Sequence, residues 1–358
     1  MYRDHTVAVV VPAYNEEGFV GEVIDTVPEF VDRVYAVDDR STDATWDEIR
    51  RHASRETHPA DEVAPGGRSV AAGAVEGART DGSGVETGSD VVPIRHEENR
   101  GVGAAITTGY RRSLQDGIDV TAVMAGDGQM DPDQLDRLLD PIVEGRAHYA
   151  KGNRLLGREY YEEMSAFRLF GNVTLSVLTK ISSGYWEMLD PQNGYTAISA
   201  EALDTIDIDG LYDGYGFCND LLVTLNVHGF RVADVHMQAI YGDETSSIRY
   251  RSFIPRLSML LLSDFIWRLQ STYLRADFHP LVFLYGLGGS GGVVGAIGAA
   301  YAIARGRRRA DGILGAVTVL LLSAFLLVLA MVLDMQQNEH LDRRLGETRR
   351  GDQRRERR

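Results

Sequence analysis

Short β-branched apolar runs alternate with longer segments whose apolar residues recur at helical spacing, from the start of the chain to Glu144. The first run covers residues 6–11 and stops at Pro12, and a helical pattern follows over 19–30. A second run, 33–37, ends in Asp38 and Asp39, with a helix-like stretch from near Thr42. A third, 91–94, leads through Asn99, Arg100 and Gly101 into a helical segment reaching Gln115. A fourth, 119–125, ends in Gly126, Asp127, Gly128 and Gln129, with a helix over 132–144. This alternation predicts βαβ units, an α/β domain and a mostly parallel sheet. Ligands of such sheets bind at the carboxyl ends of the strands, where the polar clusters of this chain fall. Residues 54–90 break the rhythm: rich in Gly, Ala, Ser and acids, they read as a surface insertion.

The C-terminal pattern is of another kind. Over 252–273, Phe253, Ile254, Leu257, Leu260, Leu261, Phe265, Ile266 and Leu269 recur at helical spacing. Such a helix beside a membrane span is expected to lie in the interface plane; an ordinary core helix fits the pattern equally. Residues 281–304 and 313–333 are uncharged and long enough to cross a bilayer. Glycines at 288, 289, 291, 292, 295 and 298 let the first span pack closely on the second or on another subunit. The expected organisation is an α/β domain (1–250), a juxtamembrane segment (251–280), a two-helix hairpin (281–333) and a charged tail (334–358). With no signal-type segment before residue 6, the first domain is expected to fold on one side of the membrane. Arginines flank the hairpin in both the connecting loop and the tail, and the larger count in the tail puts tail and domain in the cytoplasm.

Charge narrows the partners. The net charge is -15, and lysine occurs only at positions 151 and 180, all other cations being arginine. An acidic, lysine-poor surface suits a protein kept hydrated at high salt, as in a halophilic archaeon, and lacks the basic stripe that nucleic acid requires. Cys218 is the single cysteine, which excludes an intramolecular disulfide and a cysteine-based zinc site. A dinucleotide-binding oxidoreductase is disfavoured, because no Gly-x-Gly-x-x-Gly follows the first strand.

The strand-end residues carry the candidate chemistry. Asp39, and Glu16 with it, can accept hydrogen bonds from a base or ribose. A diphosphate brought near such carboxylates needs a cation between them, and Asp127 with Gln129 offers hard oxygen ligands for Mg²⁺ or Mn²⁺. Gly-Asp-Gly is also ordinary turn chemistry, and Asn99 also reads as a helix cap.

Four motifs in order, Val-Val-Pro-Ala-Tyr-Asn-Glu-Glu (10–17), Val-Asp-Asp-Arg-Ser-Thr-Asp (37–43), Asn-Arg-Gly-Val-Gly (99–103) and Gly-Asp-Gly-Gln (126–129), resemble the family 2 glycosyltransferases of GT-A fold over about residues 6–250. Asp-Gly-Gln-Met-Asp-Pro (127–132), Lys-Gly-Asn-Arg (151–154), Asp-Pro-Gln-Asn-Gly-Tyr (190–195) and the C-terminal spans resemble the dolichol-phosphate mannosyltransferase and polyprenyl-phosphate glycosyltransferase branch. The resemblance implies a nucleotide-sugar site of Pro12, Tyr14, Glu16, Val37, Asp39, Gly126, Asp127, Arg154 and Arg249, with Arg251 a rival for the last place. It implies catalytic roles for Asp127, Arg154, Asp190 and Asp220, and a metal on Asp127 and Gln129. The chain departs from the Asp-x-Asp of many relatives, having Ala125 at the first aspartate. It also has Cys218 and Asn219 where relatives place an acidic pair, leaving Asp220.

The implied reaction is metal-dependent, inverting transfer of one sugar from a UDP- or GDP-sugar to a dolichyl or polyprenyl phosphate at the membrane. A lipid phosphate arrives ionised, whereas a sugar hydroxyl would need a general base; the thin supply of acids favours the phosphate. The alternatives are extension of a lipid-linked oligosaccharide or glycolipid, and a non-catalytic membrane scaffold.

Overall fold

Alternation along the first strand sets up two cores. In the computed structural model, Val7, Val9, Val11 and Ala13 of β1 (Val7–Ala13) join one cluster, and Ala8 and Val10 join the other. The structure describes residues 1–56, 89–154, 166–237, 250–276, 278–304 and 310–345. Helices α1 (Val20–Asp25), α2 (Thr45–Glu56) and α4 (Leu135–Val143) cover the first face. Helices α3 (Val102–Gln115), α6 (Ala200–Thr205) and α7 (Phe217–Val227) cover the second.

Between them lies one sheet of β1, β2 (Arg33–Asp38), β3 (Asp90–Arg95), β4 (Val120–Val123), β5 (Tyr149–Asn153), β6 (Thr196–Ser199), β7 (Val232–His236) and β8 (Asp342–Leu345). The order is β3-β2-β1-β4-β6-β5-β7-β8, and only β6 runs antiparallel to its neighbours. The sheet is thus mostly parallel, as the alternation predicted. Two expected boundaries move. The helix expected over 19–30 ends at Asp25, where Thr26 Oγ1 bonds back to the Glu22 carbonyl at 2.8 Å and Pro28 cannot extend the ladder. The expected insertion loses 54–56 to α2 and Asp90 to β3, and 57–88 lie outside the described residues.

Beyond β7 the chain enters α8 (Tyr250–Gln270), a π-helical turn (Ser271–Ala276), α9 (Leu281–Ala304) and α10 (Ala310–Asn338). Both α9 and α10 are long and apolar enough to cross a membrane. They pack on each other through Gly288, Gly291 and Gly295, whose missing side chains make room for Leu327, Ser323 and Leu320. The hairpin is tied to the domain by a buried polar cluster. Arg268 of α8, fully buried, grips Asp334 of α10 at 2.9 and 2.8 Å and donates to the Ser182 carbonyl of α5 (Ala166–Ser183) at 2.8 Å. Tyr273 donates to Asp334 at 2.7 Å, and Asn226 of α7 reaches Asn338 at 2.9 Å.

The segment expected to be a charged tail from 334 needs correcting. Asp334 and Asn338 still belong to α10, and residues 342–345 return to the domain as an edge strand on β7. The physical reason is that the end of α10 sits on the domain, which delivers the following residues to an open sheet edge.

Candidate active site at the strand ends

Because β1, β2, β4 and β5 are parallel, their carboxyl ends share one edge of the sheet; β6 is antiparallel, so the loop entering it comes to that edge too. Four predicted clusters therefore meet: residues 14–17, 39–43, 125–129 and 190–195, with Arg154 directly after β5.

The first two motifs build one unit. Asn15, in the left-handed region at φ 58°, accepts from the Thr42 N–H at 2.8 Å, and its own N–H donates to Ser41 Oγ at 3.0 Å. The Glu16 N–H donates to Thr45 Oγ1 at 2.8 Å, and the Glu17 N–H to Asp43 at 3.3 Å. Pro12 and Val37 face each other across β1 and β2 and are buried, while Tyr14 is exposed and Glu16 half-buried. Asp38 lies within the fold, with Arg95 Nε at 2.9 Å and the Ser41 N–H at 2.9 Å.

Asp39 has an internal set of partners. It is 3% exposed, and its two oxygens accept the N–H groups of Arg100 at 2.9 Å and Gly101 at 2.7 Å, with His96 Nδ1 at 2.7 Å. This anchors the entry to α3, where Gly101 at φ 106° passes so close to the Asp213 carbonyl that a Cβ would sit 2.6 Å from it. Asn99-Arg-Gly-Val-Gly is thus a close-packing motif as well as a helix entry.

The second two motifs meet around Arg154. The Gly126 N–H donates to the Pro12 carbonyl at 3.1 Å, and beyond it Asp127 accepts the Gln129 N–H at 3.0 Å. Burial raises the pKa of Asp127, opposed by that N–H, its own backbone and the charge of Arg154. Arg154 is held in a two-pronged grip by Asp190, Nε at 2.8 Å and an Nη at 3.1 Å, and its backbone N–H reaches the same carboxylate at 3.2 Å. Burial works to raise Asp190, but the Arg154 guanidinium outweighs it and holds the carboxyl below the usual range. Asp190 and Arg154 therefore act as one ion-paired unit beside Asp127.

Sequence reasoning missed the groups that hold this unit. Lys151, fully buried on β5, donates to the carbonyls of Leu189 at 2.7 Å and Asp190 at 2.5 Å and lies 3.6 Å from Asp234 of β7. Gln192 donates to Asn219 of α7, which donates to Thr179 of α5 at 2.6 Å. Asn219, read in the sequence as a lost acid, is the joint between two motifs. The available signals were the place of Lys151 in the Lys-Gly-Asn-Arg motif and the scarcity of lysine elsewhere in the chain. Asp220 accepts the Tyr212 N–H at 2.7 Å, and burial raises its pKa against that bond. A second acid lies near it: Asp264 of α8 is buried, its Oδ2 without a hydrogen-bond partner among the described residues, and burial plus the charge of Asp220 pushes it up to about 7. Arg249 lies outside the described residues, and Arg251 falls in the first turn of α8.

Asp127 and Gln129 offer a carboxylate and an amide oxygen at one turn, and no group of three or more His, Cys, Asp or Glu among the described residues could hold a metal. This donor set fits a hard cation that takes most of its oxygens from a diphosphate and water, and a cation would offset the burial of the Asp127 charge.

An edge of this kind, with acids and a clamped arginine at the ends of parallel strands, is the ligand-binding edge of an α/β protein. The model of the family Glycosyl transferase family 2 matches residues 8–80 and 81–206, and the chain belongs to that family. It is a glycosyltransferase. A UDP-N-acetylglucosamine–dolichyl-phosphate N-acetylglucosaminyltransferase of Methanococcus voltae is 26% identical over 241 residues, 67% of this chain and 88% of the relative. An undecaprenyl-phosphate mannosyltransferase of Micrococcus luteus is 28% identical over 235 residues, 64% of this chain and 81% of the relative. A crystal structure of glucosyl-3-phosphoglycerate synthase from Mycobacterium tuberculosis, with Mn²⁺, UDP and glucosyl-3-phosphoglycerate, is similar over 74% of this chain and 80% of that one. Its identity is 19% and the TM-score 0.49.

Proposed function

We propose that this glycosyltransferase moves one sugar from a nucleotide-sugar to a dolichyl or polyprenyl phosphate at the membrane surface, with inversion. The observation that carries the reading is the Asp190–Arg154 unit beside Asp127, a fixed cationic fork at the edge where a donor diphosphate would lie. The lipid-phosphate transferases named among the relatives support the acceptor class.

In this reading Tyr14 and Glu16 meet the nucleoside, while Asp39 fixes the neighbouring entry to α3. Asp127 and Gln129 would hold Mg²⁺ or Mn²⁺, which supplies charge neutralisation for the departing nucleoside diphosphate. Arg154 orients phosphate oxygen. The lipid phosphate oxygen forms the new bond to the anomeric carbon as the bond to the diphosphate breaks, the electron pair leaving with the diphosphate oxygen. The nucleophile is already an anion, so no side chain must take a proton, which suits an Asp220 committed to the Tyr212 N–H.

The hairpin would keep the enzyme where lipid phosphate emerges. Helix α8 buries Leu257, Leu261 and Leu269 together with Asp264 and Arg268, while Ile254, Met259, Leu262, Ile266 and Trp267 are exposed. Phe283, Val293, Ile297, Leu321 and Phe325 of α9 and α10 are exposed as well, an apolar surface suited to lipid. With β8 back on the sheet, a crossing by both helices leaves domain and exit on one side, in this reading the cytoplasm.

The test is transfer from labelled UDP- and GDP-sugars to polyprenyl phosphate, in high salt, with and without Mn²⁺, beside Asp127→Ala. Metal-dependent lipid label lost in the variant is expected. Nucleotide binding with no lipid label from any donor would contradict the reading and favour an oligosaccharide acceptor or a scaffold.

A further inference from the structure

The strand that follows α10 touches the transfer site through a chain of named contacts. β8 pairs in parallel with β7, Asp342 opposite Val232 and Leu345 opposite Val235. Asp342 is buried, and its Oδ2 accepts the N–H of Glu187. Two residues on, the Leu189 N–H donates to Asp234 of β7 at 3.2 Å. Lys151 of β5 takes the carbonyls of Leu189 and Asp190. Three adjacent strands, β8, β7 and β5, thus each send one side chain to the backbone of residues 187–190. At the end of that loop Asp190 sits at φ 47°, a conformation a non-glycine residue keeps only when its surroundings impose it. From there its carboxylate grips Arg154.

We propose that the strand after the second apolar helix positions the transfer site, Asp342 holding the 187–190 loop so that Asp190 presents Arg154 to phosphate. The inference rests on the reading of Arg154 as a phosphate ligand. Asp342 is a positioning residue: it touches no reacting atom and acts through Asp190. One consequence is mechanical. Because Arg268 and Asn226 lock Asp334 and Asn338 of α10 to the domain, the seat of the hairpin and the aim of Arg154 share one connection. Truncation after α10 would remove catalytic geometry along with the tail.

The experiment uses the full chain in detergent, with Asp342→Ala and Asp342→Asn, the second keeping a side-chain acceptor. Hydrogen exchange by mass spectrometry reads the 187–190 amides, and transfer kinetics read the site. Asp342→Ala is expected to speed exchange at 187–190 by about 10-fold while β1 to β3 stay protected. It should lower kcat by about 10-fold with donor KM nearly unchanged, the cost of a misaimed group. Asp342→Asn should restore most of both. In an Arg154→Ala background, adding Asp342→Ala should cost no further transfer. Unchanged exchange at 187–190, exchange rising equally across the sheet, failure of Asp342→Asn to rescue, or additive losses with Arg154→Ala would each overturn the proposal. Exchange decides the brace whichever acceptor is used; absence of glycosyl lipid from the wild type counts instead against the acceptor reading.

Discussion

Replacing Asp264 by Asn tests how the juxtamembrane helix is seated on the domain. Asp264 is 7% exposed, faces the charge of Asp220 and has its pKa pushed from 3.8 to about 7. In the unfolded chain the carboxyl loses its proton near 3.8; in the fold it keeps it until about 7. Between those values the unfolded state binds fewer protons than the fold, so this group's contribution to stability falls as pH rises. The fall is complete above pH 7 and amounts to at most ~4 kcal/mol, less whatever water entry around α8 relieves. An asparagine of the same shape carries no such penalty. Its advantage over the wild type should be about 1 kcal/mol at pH 4.5, grow up to pH 7 and level off above it. Thermal unfolding of the two solubilised proteins reads this as a Tm gain of several degrees at pH 8, roughly 2–4 °C per kcal/mol, and a much smaller one at pH 4.5. Titrating groups away from Asp264 are common to both proteins and cancel in the difference, while Asp220 titrates together with Asp264, so the difference reports the pair. A gain independent of pH, or a Tm loss at pH 8, would refute the reasoning.

Other outcomes follow from single contacts. Arg154→Lys keeps the charge but loses the fork on Asp190, and should lower transfer by about 10- to 100-fold with nucleotide affinity, measured by titration, largely intact. Arg268→Ala leaves Asp334 charged and buried without its partner, and should cost about 3–5 kcal/mol of stability in denaturant unfolding, whereas a joint Arg268→Leu, Asp334→Leu change should cost far less. Gly101→Ala forces a Cβ against the Asp213 carbonyl at a residue with φ 106°, and should destabilise the α3 entry, seen as a lower Tm and weaker nucleotide binding.

The first half of the fold was legible because each strand there has its own alternation and its own polar ending. Residues 33–37 and 91–94 needed only extension by a residue at one end or at each. The overlong first helix shows the limit of periodicity: Val27 and Phe30 keep the pattern going, but Thr26 and Pro28 end the ladder. The site was legible as a set of residue types and not as a set of contacts. Asp190 and Arg154 were both named, yet nothing in their spacing shows that one grips the other, because the loop before β6 reaches Arg154 only through the antiparallel turn of that strand. The supports were hidden for a related reason. Asp342 stands in an arginine-rich stretch with no strand pattern, and it becomes part of a sheet only because α10 delivers it to the edge of β7. Helix α8 misleads in another way: Asp264 and Arg268, which sequence logic puts outside, are buried beside Leu261 and Leu269.

The central claim is that a lipid phosphate oxygen is the nucleophile, and the bond formed tests it most directly. The lipid product made by membranes containing the protein, from polyprenyl phosphate and the donor that labels it, should be examined by mass spectrometry before and after mild acid. The account predicts the mass of the lipid phosphate plus one sugar, with the sugar released and lipid phosphate regenerated, and far less of that product from Arg154→Ala. A sugar linked to another sugar, or to a lipid diphosphate, would contradict it.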